Sequence, residues 1–266
     1  PMCHAALGLV QLRERAKDKF ARAEQMFFDR EGYEMATRAE VAQYRAWRLR
    51  DRAEIVDLCC GIGGDLLFLG QAARVTAVDV EHRRLQMARL NCAAHELSAV
   101  HFVAADARVL KPRGDAIFFD PARRSDGARR RRSADYDPPL AFVNELQRHV
   151  ADVAVKVSPA IPEEEIPSGC EVEFVSSGGQ CREAVLYFGR LATAARRATI
   201  LPERHTITSD LEGPAPIGPP GAYVYDPDPA VVRAHLIDEL ARKLGGWKLD
   251  AQIAYLSSDT FVQTPF

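Results

Sequence analysis

The chain has 266 residues, 47% of them hydrophobic, and a formal net charge of −2, enough to bury one large core or one core with a smaller companion. So near-neutral a balance excludes a global field drawing the protein to nucleic acid or anionic membrane, and any nucleic-acid contact has to be a local patch. The six cysteines, Cys3, Cys59, Cys60, Cys92, Cys170 and Cys181, form no C-x-x-C pair and no regular spacing, which indicates neither a zinc site nor a disulfide framework, and no metal is expected.

From Val10 to Arg30, Leu12, Ala16, Phe20, Ala23 and Phe27 recur every three or four residues among charges. That is the pattern of one amphipathic helix, with Gly32 ending it. Thr37-Arg38-Ala39-Glu40 reads as a capping box that opens a second helix running to about Arg50, with Val41, Tyr44 and Trp47 or Leu49 on its apolar side. Residues 1–50 are therefore expected to be a helical N-terminal segment. From Ala53 the texture changes. Short apolar runs at Glu54–Leu58, Val75–Val80, Val100–Val103, Ala116–Phe119 and Val153–Val157 alternate with amphipathic stretches, as in a parallel sheet covered by helices on both faces. Glu171–Val175 and Ala184–Phe188, joined by Ser176-Ser177-Gly178-Gly179, read as an antiparallel hairpin. Residues 51–192 are thus expected as one α/β, Rossmann-like domain, mostly parallel with an antiparallel last strand. After Arg190 comes a short basic connector, then a Pro/Gly-rich loop at Gly213–Gly221. Asp228 as N-cap and Pro229 at the first helical position open a helix through Leu244 that Gly245 and Gly246 end, and a strand at Ile253–Leu256 follows. Residues 193–266 form a small α+β C-terminal domain on this reading. Pro1 at one end and the stop at Thr264-Pro265-Phe266 at the other suggest a truncated piece of something longer.

Asp57-Leu58-Cys59-Cys60-Gly61-Ile62-Gly63-Gly64-Asp65 lies where the first strand ends and a helix, Leu66–Ala72, begins. Gly61 and Gly63 allow a sharp turn and close approach of a ligand, and the helix beyond offers free N–H groups to a carboxylate. A dinucleotide-binding loop requires glycine at the sixth place, which here is Leu66, and Asp57 would repel a diphosphate. The same aspartate suits the ammonium and sulfonium charges of S-adenosylmethionine, the expected cofactor. Asp79, ending the second strand 22 residues after Asp57, is placed to take ribose hydroxyls. Asp106, after the third strand, is placed to accept from an adenine amino group. Any one of these acids fits a helix cap or a solvated turn; three at the ends of successive strands, with the glycine loop on the first, fit a cofactor site. The expected cofactor-contacting positions are Asp57, Cys59, Gly61, Gly63, Asp65, Asp79, Asp106 and Asp120. Cys59 and Cys60 read as loop packing residues rather than nucleophiles, and Asn91 as a satisfied helix residue. A parallel sheet ending in a reversed hairpin is the usual methyltransferase layout.

The fourth strand delivers Asp120-Pro121-Ala122-Arg123-Arg124 to the same sheet edge. Asp120 is expected to hold the methyl acceptor, since transfer from a sulfonium needs in-line approach more than acid–base power. Ala122 and Arg123 depart from the Asn/Asp-Pro-Pro-aromatic signature of amino-methylating enzymes. The string is nearer to the Asp-Pro-Pro-Arg of RNA uridine C5 methyltransferases, which require a cysteine; Cys181 is the candidate, with a packed thiol the favoured reading. Asp137-Pro138-Pro139-Leu140 reads as the lead-in to a helix. Residues 121–133 carry six arginines against Asp126, a local charge of +5, which fits phosphate neutralisation or a solvated loop pairing with Asp135 and Asp137. Lys156, on the next apolar strand, fits an acceptor-side role or a pairing with Asp120 or Asp57. Asp120, Arg123 and Lys156 are the expected catalytic set.

These strings resemble bacterial class I S-adenosylmethionine-dependent methyltransferases with a C-terminal THUMP-like domain. The likeness is carried by Asp57–Asp65 and Asp120–Arg124 and supported by Glu34–Arg48, Lys156–Ile161, Glu183–Gly189 and Asp226–Ser258. It implies the cofactor and fold and, by analogy with true THUMP domains, an RNA partner contacted through Arg123–Arg132 and the C-terminal domain. A methyltransferase of protein or small molecules, and a non-catalytic cofactor-binding protein that interacts with RNA, are the other expectations. No apolar run approaches the roughly 18 residues of a membrane span and no secretory leader opens the chain, so no membrane partner and a cytoplasmic location are expected. Oligomeric state is not legible at this level.

Overall fold

Ala116-Ile117-Phe118-Phe119 and Val153-Ala154-Val155 are apolar at every position, so strands built from them must be covered on both faces. In the computed structural model both runs lie fully buried within a parallel sheet. It describes residues 2–122, 124–125, 128–129, 132–210 and 212–266, with backbone alone for 2–5, 124–125 and 128–129. The chain divides into two units, residues 1–155 and 156–266.

The first unit begins with α1 (Met2–Ala16), α2 (Arg30–Met35) and α3 (Ala39–Arg48). Then come β1 (Glu54–Leu58), α4 (Leu66–Ala72), β2 (Arg74–Asp79), α5 (His82–Ala94), β3 (Val100–Ala104) and β4 (Ala116–Phe119). Two-residue strands β5 (Arg124–Ser125) and β6 (Ala128–Arg129), a short α6 (Val143–Leu146) and β7 (Val153–Val157) complete it, the last two residues of β7 being counted with the second unit. The strand order is β7-β4-β1-β2-β3, all parallel. The order reverses between β1 and β4, so the segments leaving their carboxyl ends diverge and open a crevice between them, the usual ligand position in such sheets. Phe118 and Phe119 are both 0% exposed, each contributing about 1.5–3 kcal/mol through burial.

The N-terminal segment departs from the expected single helix over Val10–Arg30. α1 stops at Ala16, and Met26 is extended, with ψ 160°. Asn91 of α5 explains the break: its Oδ1 accepts from Phe27 N–H at 2.7 Å and its Nδ2 donates to the carbonyls of Phe27 at 3.1 Å and Ile62 at 2.9 Å. A side chain from a remote helix thus takes the backbone groups that a continuous helix would have used internally. Asn91 is 0% exposed and satisfied, as its sequence context indicated. Gly32 does not end a helix but sits inside α2, donating its N–H to the Asp29 cap at 2.6 Å. Arg38 is the N-cap of α3 without a side-chain bond of its own, and the Thr37 hydroxyl beside it donates to Asp65 at 2.7 Å, which ties the start of α3 to the end of the glycine loop.

In the second unit, β8 (Glu171–Ser177) and β9 (Gln180–Tyr187) form the expected antiparallel hairpin, turning through Gly178 and Gly179 at φ 58° and 69° as a tight primed turn requires. The expected connector after Arg190 is instead partly strand. β10 (Arg196–Leu201) pairs parallel to β8, and β11 (His205–Thr208) antiparallel to β10, so the hairpin is not the end of the pairing. The buried Glu171 carboxylate organises the turn into β10, accepting from Thr193 N–H at 2.6 Å, Ala194 N–H at 3.1 Å and Arg197 Nε at 2.7 Å. The rest comprises β12 (Tyr223–Tyr225), α7 (Pro229–Arg233), α8 (Ile237–Lys243), β13 (Trp247–Lys248) and β14 (Leu256–Ser258). Asp228 caps α7 as expected, accepting from Ala230 N–H at 2.8 Å. The helix does not continue to Leu244 but breaks at His235, which has φ 56°, so that Ala234 and Leu236 both reach the core. The last strand starts at Leu256 rather than Ile253, because Ser257 is claimed by β12: its hydroxyl donates to Tyr223 O at 2.6 Å. Among the described residues no helix is long and apolar enough to cross a membrane.

Candidate active site

β1 and β2 are parallel neighbours, with Asp57 opposite Ala77 and Leu58 opposite Val78. Their carboxyl ends therefore deliver the glycine loop and Asp79 side by side. β4 runs on the other flank of β1 and ends at Asp120, whose N–H donates to Leu58 O at 3.1 Å. These ends enclose a cavity of about 240 Å³ lined by Cys59, Gly61, Asp65, Asp79, Asp106 and Asp120, all expected positions.

The loop is held by the acid beside it. Asp79 Oδ2 accepts from Gly61 N–H at 2.8 Å while Oδ1 accepts from Glu81 N–H at 2.9 Å. Cys59, Gly61 and Gly63 all have positive φ, 64°, 56° and 88°, a conformation easy only for the glycines. A Cβ on Gly61 would meet nothing within 4 Å, so its bare backbone faces open space, whereas one on Gly63 would lie 3.3 Å from Ala88 of α5. Gly63 therefore serves packing of the loop on α5 and does not line the cavity.

Asp57, expected to contact the cofactor, is 1% exposed and lies behind the cavity wall rather than in its lining, and among the described residues neither of its oxygens accepts a hydrogen bond. Burial, reinforced by repulsion from Asp65, Asp120 and Asp79 and opposed by Arg45, raises its carboxyl well above the ordinary range. An orphaned carboxyl among three cavity-lining acids is costly to leave ionised unless a cation arrives. Burial and the same negative field push the Cys59 and Cys60 thiols well up, so neither is a thiolate nucleophile. Burial also pushes Cys181, in the second unit, up to about 12, which fits the packed thiol and not the nucleophile.

Asp106 caps the turn after β3 and accepts from Arg108 N–H at 2.9 Å and Nε at 3.0 Å. That bonded guanidinium holds its carboxyl below the usual value. Arg108 also pairs with Asp137 at 2.9 Å. Asp137 and Pro138, read from sequence only as the lead-in to a helix, line the cavity as well. Asp137 and Ala122 exchange backbone hydrogen bonds of 2.9 and 3.0 Å, fixing both at the rim beside Asp120.

Sequence reasoning missed the contribution of the N-terminal segment. Gly32, Met35, Ala36 and Thr37 line the cavity. Thr37 and Arg45 both bond the Asp65 carboxylate, and the Arg45 guanidinium also lies 4.3 Å from the Phe118 ring centroid. A signal was present: Val41, Arg45 and Leu49 fall on one helical stripe, and an arginine on an apolar stripe needs a buried partner. Of the expected catalytic set, Asp120 is in the cavity, and Arg123 lies outside the described residues, as do residues 126, 127, 130 and 131 of the Arg123–Arg132 run. Lys156 is buried on β7 at the first position of the second unit.

A family model described as a methyltransferase domain matches residues 55–120, from β1 to Asp120. Two relatives from Mycobacterium tuberculosis, strains CDC 1551 / Oshkosh and ATCC 25618 / H37Rv, are each 40% identical over 262 residues, spanning 93% of this chain and 72% of their own length. Both are described as uncharacterized S-adenosylmethionine-dependent methyltransferases. The crystal structure of a candidate methyltransferase from Porphyromonas gingivalis W83 covers 97% of this chain and 71% of its own at a TM-score of 0.81 and 22% identity. That likeness is one of fold.

Proposed function

The chain belongs to the S-adenosylmethionine-dependent methyltransferases, and from that premise we propose that its acceptor is RNA, presented at Asp120. The residues present fit the cofactor. S-adenosylmethionine supplies an electrophilic methyl group on a sulfonium, together with an ammonium and a carboxylate. Asp57, with two buried oxygens that accept no hydrogen bond among the described residues, and the acids around it give the negative field that two cations require. Gly61 offers backbone that a ligand can approach closely. Asp79 spends one lone pair of each oxygen on loop N–H groups, which leaves further lone pairs for ribose hydroxyls. Asp106 is the group proposed for the adenine amine, sharing its carboxylate with Arg108. Asp120 would accept from the acceptor N–H or O–H and hold its lone pair in line with the methyl group; orientation is the main demand of such a transfer.

Charge supports the RNA reading. The six arginines of residues 121–133 against Asp126 belong to a segment whose two ends, Ala122 and Asp137, are both fixed at the cavity rim. Positive charge so close in sequence to Asp120 suits the neutralisation of phosphates. Arg123 and Lys156 are proposed as the acceptor-side partners of Asp120, and residues 193–266, resembling a THUMP-like domain, as a second RNA contact.

The test supplies labelled S-adenosylmethionine and total RNA from a strain lacking the protein, followed by nucleoside mass spectrometry. A single labelled nucleoside is expected; label in protein or small molecules with none in RNA overturns the reading. Replacing Arg129–Arg132 by glutamine should lower the salt slope of RNA affinity by roughly 0.7 per lost contact and leave cofactor affinity unchanged.

A further inference from the structure

Arg45 belongs to α3, outside the loop and strands that make up the cofactor cavity, yet it is 1% exposed. An arginine is rarely taken so far from water without a defined task. Its guanidinium bonds the Asp65 carboxylate and lies 4.3 Å from the centroid of the Phe118 ring. Phe118 is the residue of β4 directly opposite Asp57 of β1. Asp65, which Arg45 and Thr37 hold together, precedes the first turn of α4 and lines the cavity.

We propose that Arg45 is a positioning residue of the cofactor site: clamped between Asp65 and Phe118, it fixes the end of the glycine loop and supplies the positive charge that prepares Asp57 for the cofactor's cation. The inference concerns cofactor binding and holds whatever the acceptor. A planar guanidinium is suited to the place, because it bonds a carboxylate through its edge while its face lies over a ring. Asp57 is faced by Asp65 at the start of α4, Asp79 at the end of β2, Asp120 after β4, Arg45 of α3, and the thiols of Cys59, Cys60 and Cys92. Among these described residues, Arg45 favours its ionisation and the three aspartates oppose it. A cationic ligand binds the ionised carboxylate, so affinity falls as pH drops through the raised titration of Asp57.

Calorimetric titration of the folded chain with S-adenosylmethionine across pH tests this without any turnover. Arg45→Met should weaken binding by roughly tenfold near neutrality, equivalent to about one unit of displacement, and move the pH midpoint of affinity to higher pH. Asp65→Asn removes a repelling charge from Asp57 and should move the midpoint to lower pH. Arg45→Lys retains charge but not the planar fork, and should restore the midpoint more fully than the affinity. The cofactor's own amine titrates alike in all variants and drops out of the comparison. A merely structural Arg45 would lower the melting temperature and leave the midpoint in place, which overturns the proposal. If Arg45→Met does not fold, the Arg45→Lys arm decides: affinity and midpoint both unchanged, with only the melting temperature lowered, equally overturns it.

Discussion

Asp57 shows how one residue sets binding and stability against each other. Its carboxyl titrates above the ordinary value because it is buried among other acids. The unfolded chain ionises this group first as pH rises, so the folding cost is absent below the ordinary carboxylate range and grows towards the raised folded value. Asp57→Asn should therefore stabilise the cofactor-free protein at about pH 8 by about 1–3 kcal/mol, read as a melting temperature several degrees higher. The gain should shrink towards zero by about pH 2 to 3, where the carboxyl is largely protonated in both states. The same variant should bind S-adenosylmethionine at least about tenfold more weakly, having lost a charge-assisted partner. A melting temperature lowered equally at both pH values would contradict the assignment. Asp79 and Asp120 should separate binding from chemistry. Asp79→Ala releases the N–H groups of Gly61 and Glu81 and should weaken cofactor affinity measured by calorimetry. Asp120→Ala should lower kcat by roughly 10²-fold if its role is to orient the acceptor, a far larger change than in cofactor affinity.

At the scale of elements, the N-terminal segment is a wall of the cavity. Gly32 of α2 and Ile62 of the glycine loop meet so closely that a Cβ on Gly32 would lie 2.6 Å from Ile62 Cγ2 and 2.8 Å from Asp29 Oδ1. Gly32→Ala should cost about 1–3 kcal/mol as overpacking and weaken cofactor binding, since both residues line the cavity. Gly61→Ala is the informative contrast. It meets no atom within 4 Å, so it carries only the backbone cost of its positive φ, about 1 kcal/mol, while placing a methyl group where the cofactor must approach. Urea midpoints and cofactor affinities measured together should therefore rank the two variants oppositely: Gly32→Ala worse in stability, Gly61→Ala worse in binding relative to its stability loss.

For the whole molecule, the cavity is lined by residues of the first of the two units. Cofactor at about a hundredfold its dissociation constant should add about 2.7 kcal/mol to the state that binds it. Hydrogen exchange should place that protection at residues 32–37, 57–65, 79–81 and 105–108, and leave β12 to β14 unchanged. Protection spread equally over residues 156–266 would show that the cofactor organises the second unit too.

What the sequence determined by itself follows short-range rules. The fully apolar runs that became β4 and β7 had to be strands covered on both faces, and the acids and glycines at strand ends could be ordered into a site because a parallel sheet brings its carboxyl ends to one edge. Local turn chemistry likewise announced the Gly178-Gly179 hairpin and the Asp228 cap. Only tertiary structure decided the breaks and the couplings. Periodicity over Val10–Arg30 promised one helix, but Asn91, 64 positions beyond Phe27, took its backbone bonds. The Thr37 hydroxyl, read only as part of a local cap, donates to Asp65, 28 positions on. Arg45 was a polar residue on an apolar stripe, and its partners, Asp65 and Phe118, lie 20 and 73 positions away. Satisfying buried polar groups is an account closed over the whole fold rather than within a window of sequence, and for that reason the part of the site that comes from the N-terminal segment became visible only in three dimensions.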